Sequence, residues 1–442
     1  MMKKKVVLIS CIILGLLTMG CSNDIKTNSD QKEITILVKD YERSHMGIGD
    51  TIKIYIERFE RENGVKVNFD VINGNNDDDY DKKINTKLYL KEGPTLIFIS
   101  LYGTYQNYIK QEIAVKNEGE IPNITKVYDS LLDEGYGFVP VGMIHWAVAL
   151  NRPTFDKLEI DAPKLNWTRE DYINIKEKWL KIEPQYLHNW IYQEYLALLD
   201  DLDIFDESKK KVNLCNDKVI QYINYVREEI FSGKYIMNKD YTYENYFNML
   251  FNEKSVEHIE SRDLELKKEN VLRKYWYVQR GLKSIETSEY ININDDIVLP
   301  RIMDGEDALL YTCGFIVNRN GKNIELGRKF LNGLLSDEIQ LEMYQKKFDL
   351  YPVNKDIESE IEKIEKEKNI NEKAVNLRKY ILQQIKTGNY KRNSNSKKIQ
   401  EVKDMISKDL AKFIFADKAY TDEELGRELQ KMENKYNMWL NE

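Results

Sequence analysis

The sequence predicts an α/β protein built as two lobes. Three observations lead there. The chain has 442 residues, long for one domain and comfortable for two. Its first folded stretch reads strand, helix, strand. A second helix signal then runs into a third strand that is apolar throughout, and strands joined by crossover helices lie parallel.

The first strand is Glu33-Ile34-Thr35-Ile36-Leu37-Val38. Ile34, Ile36 and Val38 face one way and Leu37 the other, as in a strand buried on both faces. Asp50 can cap a helix whose Ile52, Tyr55, Ile56 and Phe59 share one side, and Gly64 closes it. Val65, Val67, Phe69 and Val71 alternate as the second strand. Residues 73–81 (NGNNDDDYD) read as a solvated acidic loop. Lys82 stands where a calcium loop needs glycine, and Leu88 where it needs a bidentate Glu. A helix from Tyr80 to Leu90 follows. Gly93-Pro94 breaks it and Thr95-Leu96-Ile97-Phe98-Ile99 forms the third strand, with Tyr102 and Tyr105 beyond its C-terminal end. In open α/β sheets that end is where ligands bind.

The start of the chain reads as an address. Lys3, Lys4 and Lys5 precede an apolar run from Val6 to Met19, which is short for a membrane span and suited to a signal peptide. Leu17-Thr18-Met19-Gly20-Cys21 resembles a bacterial lipobox, although Thr18 stands where Leu is usual. Residues 1–20 are therefore expected to be the lipoprotein signal peptide and 21–32 a polar tether. Cys21 would carry the acyl (palmitate-type) anchor that holds the protein at the outer face of the cell membrane. Removing residues 1–20 leaves 442 − 20 = 422 residues. The formal charge moves from −8 to −8 − 3 = −11 with the loss of three lysines, which speaks against nucleic acid as a partner. Cys215 and Cys313 then remain, too few for a disulfide framework; one bridge or two thiols are both open.

No nucleophile elbow, phosphate loop, HExxH or CxxC occurs, and His45, His145, His188 and His258 are far apart. The reading is a binding protein rather than an enzyme, with no cofactor and no metal. Aromatic residues make up 11% of the chain, with 29 Tyr and 6 Trp. Flat rings cover the C–H faces of sugars while polar groups bond the hydroxyls.

Six stretches in order resemble the extracellular solute-binding proteins of bacterial ABC importers, carbohydrate type (family 1). They are KEGPTLIFISLYGTY, then 137–160 (GFVPVGMIHWAVALNRPTFDKLEI), then Pro163 to Trp167 with Thr168. The rest are 299–345, Leu350-Tyr351-Pro352-Val353, and Tyr420-Thr421-Asp422-Glu423-Glu424 with the helix to Glu442. Thr95 stands where that family usually has Asp. The resemblance implies a type II periplasmic-binding-protein-like α/β fold, two lobes with a hinge of crossing strands. It implies lobe 1 from 33–139 plus 306–350, and lobe 2 from 140–305 plus 351–442. It also implies capture of a sugar or oligosaccharide between the lobes and delivery to ABC permease subunits, the binder itself being a monomer.

The ligand-binding residues expected from position are Asp40 and Glu42 after the first strand, Tyr102 and Tyr105 after the third, and Trp146 in the crossing segment. Trp190 and Trp276 are expected in lobe 2, and Tyr311 and Phe315 on the return strand. Trp167, Trp439 and Asn151 read as structural. Thr421 and Glu424 form a capping box, and Leu425, Leu429, Met432, Tyr436 and Trp439 or Leu440 an apolar stripe. Residues 355–368 read as a solvated helix face and 391–398 as an exposed loop. Two other classes are a secreted lipoprotein enzyme acting on glycans and a sensor lipoprotein with the same fold.

Overall fold

The computed structural model describes residues 32–40, 48–74, 77–101, 103, 105–145, 147–183, 202, 204–206, 211–231, 241–267, 292–300, 310–346, 350–389 and 397–441. The expected signal peptide at 1–20, Cys21 and most of the tether lie outside them.

The chain opens with β1 (Glu33–Lys39), α1 (Ile48–Asn63), β2 (Lys66–Ile72), α2 (Asp77–Leu88), β3 (Leu96–Ile99) and a short α3 (Gln106–Lys110). Gly64, at φ +62°, ends α1 in the left-handed conformation that glycine adopts without strain. Asp77, Asp79 and Asp81 lie in the first turn and a half of α2 rather than in a loop. Asp79, near the positive end of the helix macrodipole, pairs with Lys83 at 2.9 Å.

Next come β4 (Phe138–His145), β5 (Ala147–Leu150), α4 (Arg152–Phe155) and α5 (Arg169–Ile182). Small strands β6 (Phe205–Asp206) and β7 (Lys211–Val212) lead to α6 (Asp217–Phe231), α7 (Tyr243–Phe251) and α8 (Val256–Lys267). The return path is β8 (Ile297–Pro300) and β9 (Leu310–Val317). It ends in α9 (Ile324–Leu334), α10 (Asp337–Lys346), α11 (Glu358–Glu367), α12 (Glu372–Thr387), α13 (Lys397–Ile414) and α14 (Asp422–Asn441). No described helix is long and apolar enough to cross a membrane.

One sheet has five strands in the order β2-β1-β3-β9-β4, with β1 parallel to β2 and β3 and β9 antiparallel to β3 and β4. Its two faces are buried under different helices. Ile34, Ile36, Val38, Leu96, Phe98 and Phe315 pack with α1, α9 and α10. Leu37, Ile97, Ile99 and Ile316 pack with Tyr80, Ile84 and Leu88 of α2. Gly314 sits where β9 meets β4, and a Cβ there would strike the Val139 carbonyl oxygen. A two-stranded sheet, β5 with β8, starts the second body. Its core joins Val148, Leu150, Trp167, Trp179, Tyr222 and Leu299 to Ile406, Phe415, Leu429 and Tyr436. The apolar stripe read in the last helix is borne out: Leu425, Leu429, Tyr436 and Leu440 are buried.

The stretch 351–442 does not stay together. Ile361, Ile364, Leu377, Ile381 and Ile385 of α11 and α12 join the first core, whereas α13 and α14 join the second. The lysine–glutamate run at 355–368 is accordingly amphipathic rather than solvated throughout. Within it Glu365 is 3% exposed, held by Arg378 Nε and Nη2 at 2.5 and 2.6 Å, and receives the Tyr344 hydroxyl at 2.8 Å. Cys215 and Cys313 are unbridged thiols, and burial pushes the Cys313 thiol up to about 12.

Candidate ligand-binding site

β1, β2, β3 and β4 all end at the same edge of the five-stranded sheet. β9 runs the other way, so its first residues stand beside those ends: Leu310 pairs with His145, Tyr311 with Ile144 and Gly314 with Ile99. Of the three places where the chain changes core, two are flanked by residues of this edge, His145 before Ala147 and Leu310 after Pro300; the third falls between Thr387 and Lys397. An edge that collects four strand ends beside two of the crossings is where a solute between the bodies would meet the backbone.

Asp40 follows β1 here and is half-buried. The Tyr80 hydroxyl, from α2, donates to its Oδ1. The Lys39 ammonium stands 5.4 Å from the centre of the Tyr80 ring. Gly74, just past β2, lies against the same ring; a Cβ there would come within 2.8 Å of it. Tyr311 is half-buried on β9. The structure therefore brings Asp40 and Tyr311 to one edge. Tyr105 is 3% exposed, and its ring stacks on Phe138 at 4.2 Å between centroids. Phe315 is fully buried and meets Phe98 at 5.4 Å and Phe330 at 6.4 Å. Both rings are packed beneath the edge rather than on it. Glu42, Tyr102, Trp146, Trp190 and Trp276 lie outside the described residues.

Two further groups stand at the edge: Tyr80, which was not singled out from the sequence, and His145, the histidine that the sequence places in the crossing segment beside Trp146. In the sequence Tyr80 is hidden in an acidic run, and only the fold brings it to Asp40. His145 is the last residue of β4 and is fully buried. Its ring stacks on Tyr351, 4.9 Å between centroids. Among the described residues no hydrogen-bond partner reaches either ring nitrogen. Burial alone lowers its pKa to about 3, so the imidazole is neutral near pH 7.

On the far side of the crossing, Asn151 caps α4 by accepting from the Thr154 amide at 3.0 Å, as its structural reading expects. The Trp167 indole donates to the Pro300 carbonyl at 2.8 Å and ties the end of β8 to the start of α5. The Lys373 ammonium bonds the carbonyls of Asn294 and Asp296 at 2.7 and 3.0 Å, joining α12 to the approach to β8. Among the described residues no group of three or more His, Cys, Asp or Glu side chains could hold a metal ion.

A mixed sheet with one late strand inserted between β3 and β4, in a chain whose residues return repeatedly from one core to the other, matches the type II periplasmic-binding-protein class. Within that class the chain belongs to the bacterial extracellular solute-binding protein family, whose description matches residues 44–341. It is a family of binding proteins, not of enzymes. No curated relative matches the chain. Among solved structures it is similar to the maltose-bound MalE3 of T. maritima: 13% identity, 92% of this chain and 99% of that one, TM-score 0.55. It is similar to the cyclic alpha-maltosyl-1,6-maltose binding protein of Arthrobacter globiformis, at 13% identity, 93% and 99% coverage and TM-score 0.57. A family 1 solute-binding protein of Alicyclobacillus acidocaldarius shares 11% identity over 93% and 99% of the two chains, with TM-score 0.61.

Proposed function

We propose that the chain is an extracellular, lipid-anchored receptor. It captures a sugar or oligosaccharide between its two bodies and hands it, unaltered, to an ABC permease. The observation that carries this reading is the family match over residues 44–341. The sugar is supported by the aromatic-rich composition and by similar solved structures, one bound to maltose and one named as a cyclic alpha-maltosyl-1,6-maltose binding protein. Asp40 accepts solute hydroxyls at the sheet edge, Tyr311 offers part of its ring, and Trp146 supplies a stacking face at the crossing. Cys21 carries the lipid, so the mature monomer stays close to its permease.

The test is a thermal-shift and calorimetry panel on the mature protein with galactose, maltose and maltotriose. A solute at a hundred times its Kd adds about 2.7 kcal/mol of stability. No shift and no heat with any of the three overturns the sugar reading, and recovery of a cleaved sugar overturns the carrier role. For the anchor, Cys21→Ala moves the protein from the membrane fraction into the medium; unchanged partition removes Cys21.

A further inference from the structure

The half-buried Asp40 carboxylate sits at the exit of β1, on a side chain with two soft torsions. The structure limits that freedom from below. Tyr80 is 6% exposed and rooted in the core beside Ile84 and Leu88 of its own helix. Its hydroxyl donates to Asp40 Oδ1, a hydrogen bond strengthened by the acceptor's charge. The ring is held in turn by the bare backbone of Gly74 on one contact and the Lys39 ammonium on another. The donor is thus rigid, and its bond restrains the orientation of the carboxylate.

We infer that Tyr80 is a positioning residue for solute capture: it fixes the plane in which the Asp40 carboxylate meets the ligand. The inference rests on the sugar reading above and names its chemistry more closely. An ionised carboxylate only accepts hydrogen bonds. A carboxylate held in one plane therefore selects a solute that presents free hydroxyl hydrogens at that place. Tyr80 itself does not touch the solute.

The test is a double-mutant cycle with Tyr80→Phe and Asp40→Asn. It is read by calorimetry with whichever of galactose, maltose and maltotriose shifts the wild type most. Tyr80→Phe keeps the ring and removes the hydroxyl. The expected result is about tenfold weaker binding for Tyr80→Phe, with the double variant no weaker than Asp40→Asn alone. Wild-type affinity in Tyr80→Phe, or losses that add in full, overturns the inference while leaving the sugar reading intact. If none of the three sugars binds the wild type, the sugar reading falls, and the ligand-free protein decides the inference. Three-bond NMR couplings of Asp40 should report one χ1 rotamer in the wild type and averaging in Tyr80→Phe. The same couplings in both proteins overturn it.

Discussion

An imidazole shut away from water sets a pH dependence that a surface histidine would not. His145 has an unfolded pKa near 6.5 and a folded value of about 3. Between those values the unfolded chain binds the extra proton, so the histidine's share of stability is present above pH 6.5 and is lost as pH falls toward 3. The loss approaches ~1.4 kcal/mol per pH unit. Denaturant midpoints from pH 7 to pH 5 should fall more steeply for the wild type than for His145→Phe; parallel curves would refute it. Gly314 makes a second prediction at this scale. A methyl group there meets the Val139 carbonyl oxygen and comes within 2.8 Å of the Pro140 Cα, both backbone atoms of the paired strand. Gly314→Ala should cost about 3 kcal/mol in urea unfolding, because neither atom can move without opening the β4–β9 ladder.

At the scale of elements, α11 and α12 are pinned to the first core by a buried charge pair. Arg378 and Glu365 are 2% and 3% exposed. Removing one partner leaves the other charge without its mate: Arg378→Ala should cost about 3–5 kcal/mol, whereas Glu365→Leu with Arg378→Met should cost about 1 kcal/mol or less. Equal losses in chemical denaturation would mean the pair matters only as packing volume. Helix α5 offers a smaller test. Thr168 and Asp171 form a reciprocal cap, the Thr168 amide donating to Asp171 at 2.8 Å. Thr168→Ala should lower stability by about 1 kcal/mol.

The periodic elements were legible in the sequence. β1 shows both of its faces in ILV spacing, and the last helix shows its stripe. The division of 351–442 was not legible. Charged residues surround Ile361 and Ile364, and a salt bridge between helices leaves no periodic trace. Of the site, Asp40 and Tyr311 followed from being next to strand ends. Tyr105 and Phe315 did too, yet they pack inward, because a position near an edge does not say which face a ring takes. Tyr80 was invisible for a simpler reason: its partner lies 40 residues away.

At the scale of the molecule, the described residues form two main cores between which the chain passes three times, and the capture proposed above calls for the two to shut around the solute. Closing needs only that the shut form bind better than the open one. Small-angle scattering of the mature protein should give a smaller radius of gyration with a bound sugar than without it. An unchanged radius at saturation would mean that binding leaves the lobes where they were.

β9 lies between β3 and β4 although it is synthesised last of the three. Until residue 317 has left the ribosome, the five-stranded sheet therefore lacks the strand that joins β3 to β4. Its largest loop closure comes late, and such closures are slow. If the chain is exported unfolded, as the receptor proposed above would be, that strand order favours it: the sheet cannot be completed until most of the chain has been made.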